Sequence, residues 1–318
     1  MNPLPHDDPG FARIIQGLSV ARRLEAALIE KDYWITHVLW ALDALGLEVR
    51  FKGGTCLSKG YRLIERFSED LDLQLGPGTS TLPAAPNWRG ERATHIAKRQ
   101  AWFEALLTTL VVPGCRVEVN RDLVDDRARS AVFDVHYPGI FAGQLGPLIS
   151  AWVRLEVGAA RTTPAVLRPI SSWVHDELDT RSVWWTVVDN RPPPVLCVHP
   201  VVTLLEKIDA ISRRWTRGDL PARAFVRHYE DAARIVQALP MLPAVAGGLD
   251  VLVAEMLEER QLRVRPSVDD PAFVLAAGER TDDVGAAWRD LGPLFWGVRL
   301  PLDEAAARVR RWIGTAIE

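Results

Sequence analysis

Between residues 11 and 45 apolar side chains return at three- and four-residue steps: Ile14, Ile15, Leu18, Leu24, Leu28, Trp34, Ile35, Val38 and Leu39. That spacing marks one side of a helix, so one or two amphipathic helices are expected here. Residues 48–51 read as a short strand, Gly53 and Gly54 interrupt it, and residues 55–65 resume a helical pattern through Leu57, Tyr61 and Ile64. Residues 71–75 then alternate apolar and polar, the period of a half-buried strand. Residues 76–89, rich in Gly, Pro, Ser and Thr, are a loop, and a helix is expected over 91–111. Three further strand-like runs, 115–119, 131–137 and 152–157, complete a small mixed sheet. Beyond Arg191-Pro192-Pro193-Pro194 the pattern stays helical, over 201–215, 222–239, 251–262 and 302–317. The expected class is α+β, with a sheet-bearing domain at 1–195 and a helical domain at 196–318.

Composition narrows the classes of function. The chain has 318 residues, 48% of them hydrophobic, enough for a substantial core. Its 38 basic and 41 acidic residues give a formal charge of −3, so any nucleic-acid contact must be local. Cys56, Cys115 and Cys197 stand far apart, without zinc-ligand spacing. No stretch approaches the roughly 18 apolar residues of a membrane span, and the amino terminus lacks a basic-then-apolar leader, so a cytoplasmic protein is expected. Neither a P-loop nor a Gly-x-Ser-x-Gly elbow occurs.

The chemistry concentrates in Lys52-Gly53-Gly54-Thr55-Cys56-Leu57-Ser58-Lys59 and Arg66-Phe67-Ser68-Glu69-Asp70-Leu71-Asp72-Leu73. A strand, a glycine pair and a helix start leave backbone N–H groups facing outward, which suits a phosphate. Asp70 and Asp72, two apart on a strand, project from one face while Leu71 and Leu73 take the other. Two carboxylates on one face form a hard oxygen site for magnesium. Either feature alone is commonly a turn or a solvated strand edge, but the two together are hard to explain by packing.

These segments resemble motif I of the polymerase-β-like nucleotidyltransferases, and specifically the AbiEii/AbiGii toxin family of type IV toxin–antitoxin systems with its MenT-like members. Glu30-Lys31-Asp32-Tyr33-Trp34 is similar to that family's amino-terminal helix motif. The resemblance implies a polymerase-β-like core followed by a helical carboxy-terminal half that contributes Lys207 and Asp231. It implies magnesium or manganese on Asp70, Asp72 and Glu156, with all three carboxylates, Lys207 and Asp231 as catalytic residues. Gly53, Gly54, Thr55, Ser58, Lys59, Arg66 and Lys207 would hold the nucleoside triphosphate. It further implies a toxin that transfers a nucleotide to RNA, with the tRNA 3′ end as acceptor, blocking translation, and a cognate AbiEi-like antitoxin encoded nearby. Cys56 stands where the family commonly has a small residue.

The residues leave alternatives open. Glu156 also reads as an exposed strand residue paired with Arg154, Asp231 as an intrahelical partner of Arg227 four residues earlier, and Lys207 as a solvated helix face. Ser212-Arg213-Arg214-Trp215-Thr216-Arg217 suits phosphate contact and base stacking, or simply a basic helix end complementing the helix dipole. Two rival functions stand beside nucleotidyl transfer: a phosphotransferase on a protein or small molecule, and a non-catalytic RNA- or partner-binding protein.

Overall fold

The protein is described by a computed structural model, which covers residues 2–317 except Glu69, Val124, Pro147, Leu148, Val183, Trp185 and Gly218, and except the side chain of Pro293. The chain divides into two compact units. Unit 1 comprises residues 1–60, 68–162 and 166–197, and unit 2 comprises 61–67, 163–165 and 198–318. The units therefore interleave in sequence. Among the described residues no helix is long and apolar enough to cross a membrane.

In order, the chain forms α1 (Phe11–Arg22), α2 (Ala26–Ala44), β1 (Glu48–Lys52), α3 (Gly53–Thr55) with a following π turn (Cys56–Gly60), and β2 (Asp70–Gly76). Next come α4 (Ala93–Thr109), β3 (Arg116–Val119), β4 (Ser130–His136), β5 (Val153–Gly158), β6 (Ala165–Arg168), α5 (Trp173–Arg181) and β7 (Val195–Val198). The remaining elements are α6 (Pro200–Trp215), α7 (Arg227–Ala238), α8 (Gly248–Glu258), α9 (Pro271–Val274), α10 (Glu279–Asp290) and α11 (Leu302–Ala316). The α+β class expected from the pattern is the class observed. The sheet is larger than expected: among the described residues seven strands join in the order β3-β4-β5-β2-β1-β7-β6. The two strands the pattern missed, β6 and β7, are four residues long each, and β7 follows directly on the proline run.

The middle of this sheet explains its alternation. On β2, Leu71, Leu73 and Leu75 are at most 2% exposed while Asp70, Asp72 and Gln74 keep partial solvent access. β1 pairs with β2 antiparallel, setting Lys52 opposite Asp72, and β5 pairs with it parallel, setting Arg154 and Glu156 opposite Asp70 and Asp72. Directly opposed residues share a face of the sheet. One face is thus leucine-rich and the other charged.

Helix α2 departs from the amphipathic reading, because from Ala26 to Leu39 every residue is buried. Its polar groups are turned inward and bonded. Glu30 accepts the backbone N–H groups of Ile140 and Phe141 at 2.8 and 2.9 Å. Lys31 donates to the Ser150 carbonyl at 2.8 Å. Asp32 accepts the Trp173 N–H at 2.9 Å and the Lys59 ammonium. Glu30, Lys31 and Asp32 therefore tie other segments of unit 1 to α2, and these buried charges persist there because each of the three finds a partner.

In unit 2, Val198, Val201, Val202, Leu205, Leu252, Val253, Met256, Leu262 and Ile317 form a hydrophobic cluster around α6 and α8. Tyr229 on α7 donates its hydroxyl to the Ala272 carbonyl at 2.7 Å. The helical second half expected from the pattern is present.

Replacing Asp32 with Ala strands the Lys59 ammonium, whose side chain is only 7% exposed. Losing one partner of such a pair typically costs about 3–5 kcal/mol. Urea unfolding of Asp32→Ala should show a loss of that order against wild type.

Candidate active site

The two glycines after β1 produce a shorter turn than the 55–65 helix expected: three α-helical residues, one π turn, and then non-helical chain. Gly53 has φ +75°, a conformation that side chains resist. A Cβ built there would overlap the Asp72 carboxylate. Glycine is therefore required twice over, by backbone conformation and by the carboxylate resting on its α-carbon. Thr55 completes the join, since its hydroxyl donates to the Asp70 carbonyl at 2.6 Å and lies 3.2 Å from that of Ser68. That contact fixes the start of β2 to the turn.

Glu69 lies outside the described residues, but the aspartates on either side of Leu71 are described. Asp70, Asp72 and Glu156 share the charged face, with Lys52 opposite Asp72. Arg154 stands between two carboxylates, its Nη1 3.9 Å from Asp70 Oδ1 and its Nε 3.6 Å from Asp134 Oδ1. Arg154's ion pairs thus go to Asp70 and Asp134, and the expected alternative of an Arg154–Glu156 pair does not describe them. Asp134, opposite Arg154 on β4, also accepts from the Asn120 amide at 2.7 Å. Sequence reasoning left Lys52 and Asp134 without a role and gave Arg154 only as a partner for Glu156. The signal for Asp134 was a lone acid inside the apolar run 131–137.

Glu156 is exposed on β5, and partial desolvation by its neighbours, then the negative charge of Asp70, raises its carboxyl above the ordinary range, while Lys52 and Arg154 pull it back. The face is thus oxygen-rich and internally repulsive, a chemistry that a divalent cation relieves. Asp70 and Asp72, with Glu156 beside them, fit such an ion by donor type. As they stand, no three His, Cys, Asp or Glu side chains among the described residues converge to hold one.

The remaining candidates are engaged inside the protein. The Ser58 hydroxyl donates to the Thr55 carbonyl at 3.1 Å, and Lys59 is bound by Asp32. Cys56 is buried. In unit 2 Arg66, expected at the nucleotide, is engaged by other residues of its own unit. Its Nε and Nη2 donate to the two oxygens of Asp231, each at 2.7 Å, and its Nη1 to the Phe67 carbonyl at 2.9 Å. Lys207 Nζ donates to Asp231 Oδ2 at 2.6 Å. Asp231 therefore pairs with Arg66 and Lys207, and Arg227 is not among its bonded partners. Asp231 is 0% and Lys207 7% exposed, so Lys207 is no solvated helix face.

Burial alone would raise Asp231, but the Arg66 and Lys207 charges outweigh it and hold the carboxyl well below its usual range. Lys207 is lowered, by burial first and by Arg66 in part, with Asp231 opposing. His228, 3.4 Å from Lys207 Nζ, has its pKa pushed well below the ordinary imidazole value by burial and then by the lysine charge.

The sequence profile described as "Nucleotidyl transferase AbiEii toxin, Type IV TA system" matches residues 37–291. No curated protein matches the chain significantly. Among solved structures, MenT4, a nucleotidyltransferase toxin from Mycobacterium tuberculosis H37Rv, superposes with a TM-score of 0.51 at 17% identity, covering 94% of this chain and 87% of that one. That likeness concerns the fold.

Two outcomes test these electrostatics. Asp70→Asn removes a like charge and should bring the Glu156 pKa down towards the ordinary carboxylate range, as read by carbon-detected NMR titration. Asp231→Asn should lose about 3–5 kcal/mol of stability at neutral pH, because Arg66 and Lys207 lose their buried partner. Because the folded Asp231 pKa is depressed, its contribution is complete above the unfolded value near ~4 and fades as pH falls below it. The gap between wild type and variant should therefore narrow in acid, in denaturation series at stepped pH.

Proposed function

This chain belongs to the AbiEii nucleotidyltransferase toxin family of type IV toxin–antitoxin systems, and from that premise we propose that its charged β2 face transfers a nucleotide from a nucleoside triphosphate to RNA, with the tRNA 3′ end as acceptor. The observation that carries this reading is the Asp72 carboxylate seated on Gly53, beside Asp70 and Glu156 on one face. A hydroxyl of the acceptor attacks the α-phosphorus, a new P–O bond forms, the α–β bridge breaks and pyrophosphate leaves. Glu156, whose affinity for a proton is raised, accepts the hydroxyl proton. Asp70 and Asp72 would hold magnesium, which would supply charge neutralisation at the phosphates. Lys52, opposite Asp72, brings a positive charge to the same row. Thr55 keeps β2 and the turn in register, acting on the site through the backbone.

In this reading the toxin works in the cytoplasm, where modified tRNA no longer supports translation, and its antitoxin is encoded nearby. The buried Arg66–Asp231–Lys207 set holds its own unit together.

The test is incubation of the purified protein with each nucleoside triphosphate, magnesium and total RNA, using α- and γ-labelled donors in parallel, followed by sequencing of RNA 3′ ends. The α-label should reach RNA and one class of 3′ end should lengthen. Asp72→Asn should lower the rate by at least about a hundredfold, the loss expected when transition-state charge stabilisation is removed. Label transfer from the γ-position only would show a phosphotransferase, and RNA binding without any transfer would show a non-catalytic protein.

A further inference from the structure

The carboxy-terminal end of α6 and the start of α7 enclose a cavity of about 350 Å³ in unit 2, lined by Arg213, Arg214, Arg217, Arg227 and Arg263 with Leu220 and Ala224. Five guanidinium groups around one space are costly without counter-charge. Asp209 accepts from Arg213 Nε at 2.6 Å, and exposed Asp219 pairs with Arg217 at 2.8 Å. Among the described residues no carboxylate pairs with Arg214, Arg227 or Arg263. Arg214 instead donates to the Ala224 carbonyl at 3.0 Å and meets His228 at 3.2 Å. Crowding by Arg213 and Arg227, after burial, depresses the Arg214 pKa.

The walls are fixed. Arg280 donates to the carbonyls of Leu220 at 3.1 Å and of Arg214 at 2.7 Å, with its guanidinium 5.2 Å from the Phe225 ring centre. Asp209 also accepts the Arg263 backbone N–H at 2.9 Å, which holds that segment in place. This is a preformed, cation-rich cavity whose lining, among the described residues, includes no aromatic side chain, Trp215 among those outside it. Planar guanidinium groups match phosphate oxygens two at a time, and the absence of a stacking surface favours backbone contact over base readout.

We propose that this cavity binds the sugar-phosphate backbone of RNA, irrespective of base sequence, through arginines of unit 2 that the carboxylate face does not use. The assignment rests on the RNA-directed function proposed above. It deepens that reading by naming where the chain contacts the acceptor's phosphates.

The test uses the full chain and short fluorescein-labelled RNA hairpins of two unrelated sequences, followed by anisotropy across a salt series without nucleotide or divalent ion. The variant is Arg227→Gln with Arg263→Gln, two side chains that carry no ion pair among the described residues, with an unchanged thermal melt showing that the fold is kept. Affinity for both hairpins should fall about tenfold, and the slope of log K against log salt should flatten by roughly two, one for each phosphate no longer neutralised. Unchanged affinity and slope overturn the assignment. So does loss of radiolabelled ATP binding with RNA affinity intact, which would mark a free-nucleotide site. If the wild type transfers no nucleotide but RNA binding depends on these arginines, the transfer reading fails and this one stands. If transfer proceeds and binding ignores them, only this one falls.

Discussion

The two-residue period of β2 is the constraint on which the site depends. Leu71, Leu73 and Leu75 are buried, each worth about 1.5–3 kcal/mol relative to exposure. A slip of one residue would expose all three and drive Asp70 and Asp72 into the core. Apolar burial on one face therefore holds the carboxylates on the other. With β1 and β5 on either side, the same register delivers Lys52, Arg154 and Glu156 to that face from distant parts of the chain. Gly53 then allows the turn to close against Asp72.

The two units handle charge by different physics. On the β2 face the groups keep solvent contact and repel one another, so the arrangement is held by strand register and backbone bonds such as Thr55 to Asp70. In unit 2 Asp231 is wholly buried, and it is tolerable there because Arg66 meets it with two parallel bonds and Lys207 with a third. Substitution is expected to act mainly through stability at the second set and through local electrostatics at the first.

Much of this was legible in the sequence because it is local. The alternation at 70–75, the glycine pair and the helical second half are written in neighbouring residues, and they place Asp70 and Asp72 on one face. What escaped depends on long-range pairing. Asp134 joins Asp70 only through Arg154, by way of β4 and β5. Arg66 finds Asp231 across 165 positions, which no periodicity encodes. The bonds of Glu30, Lys31 and Asp32 escaped in the same way, since they reach Ile140, Phe141, Ser150 and Trp173, more than a hundred residues away. The helix expected over 55–65 stops early because residues 61–67 are claimed by unit 2, where Phe67 N–H bonds to the Leu294 carbonyl at 2.8 Å.

Under the proposed function, the chain must accommodate phosphate groups despite a formal charge of −3. The β2 face makes the difficulty acute, since among the described residues the cations opposed in register to Asp70, Asp72, Glu156 and Asp134 are Lys52 and Arg154. A triphosphate approaching four carboxylates and two cations is repelled unless counter-charge comes with it, so donor binding there should be coupled to cation binding. A cavity whose arginines outnumber their carboxylate partners needs no such help. The same ligand chemistry would then be met in two ways within one chain: conditionally at the face built for transfer, and unconditionally where only grip is required.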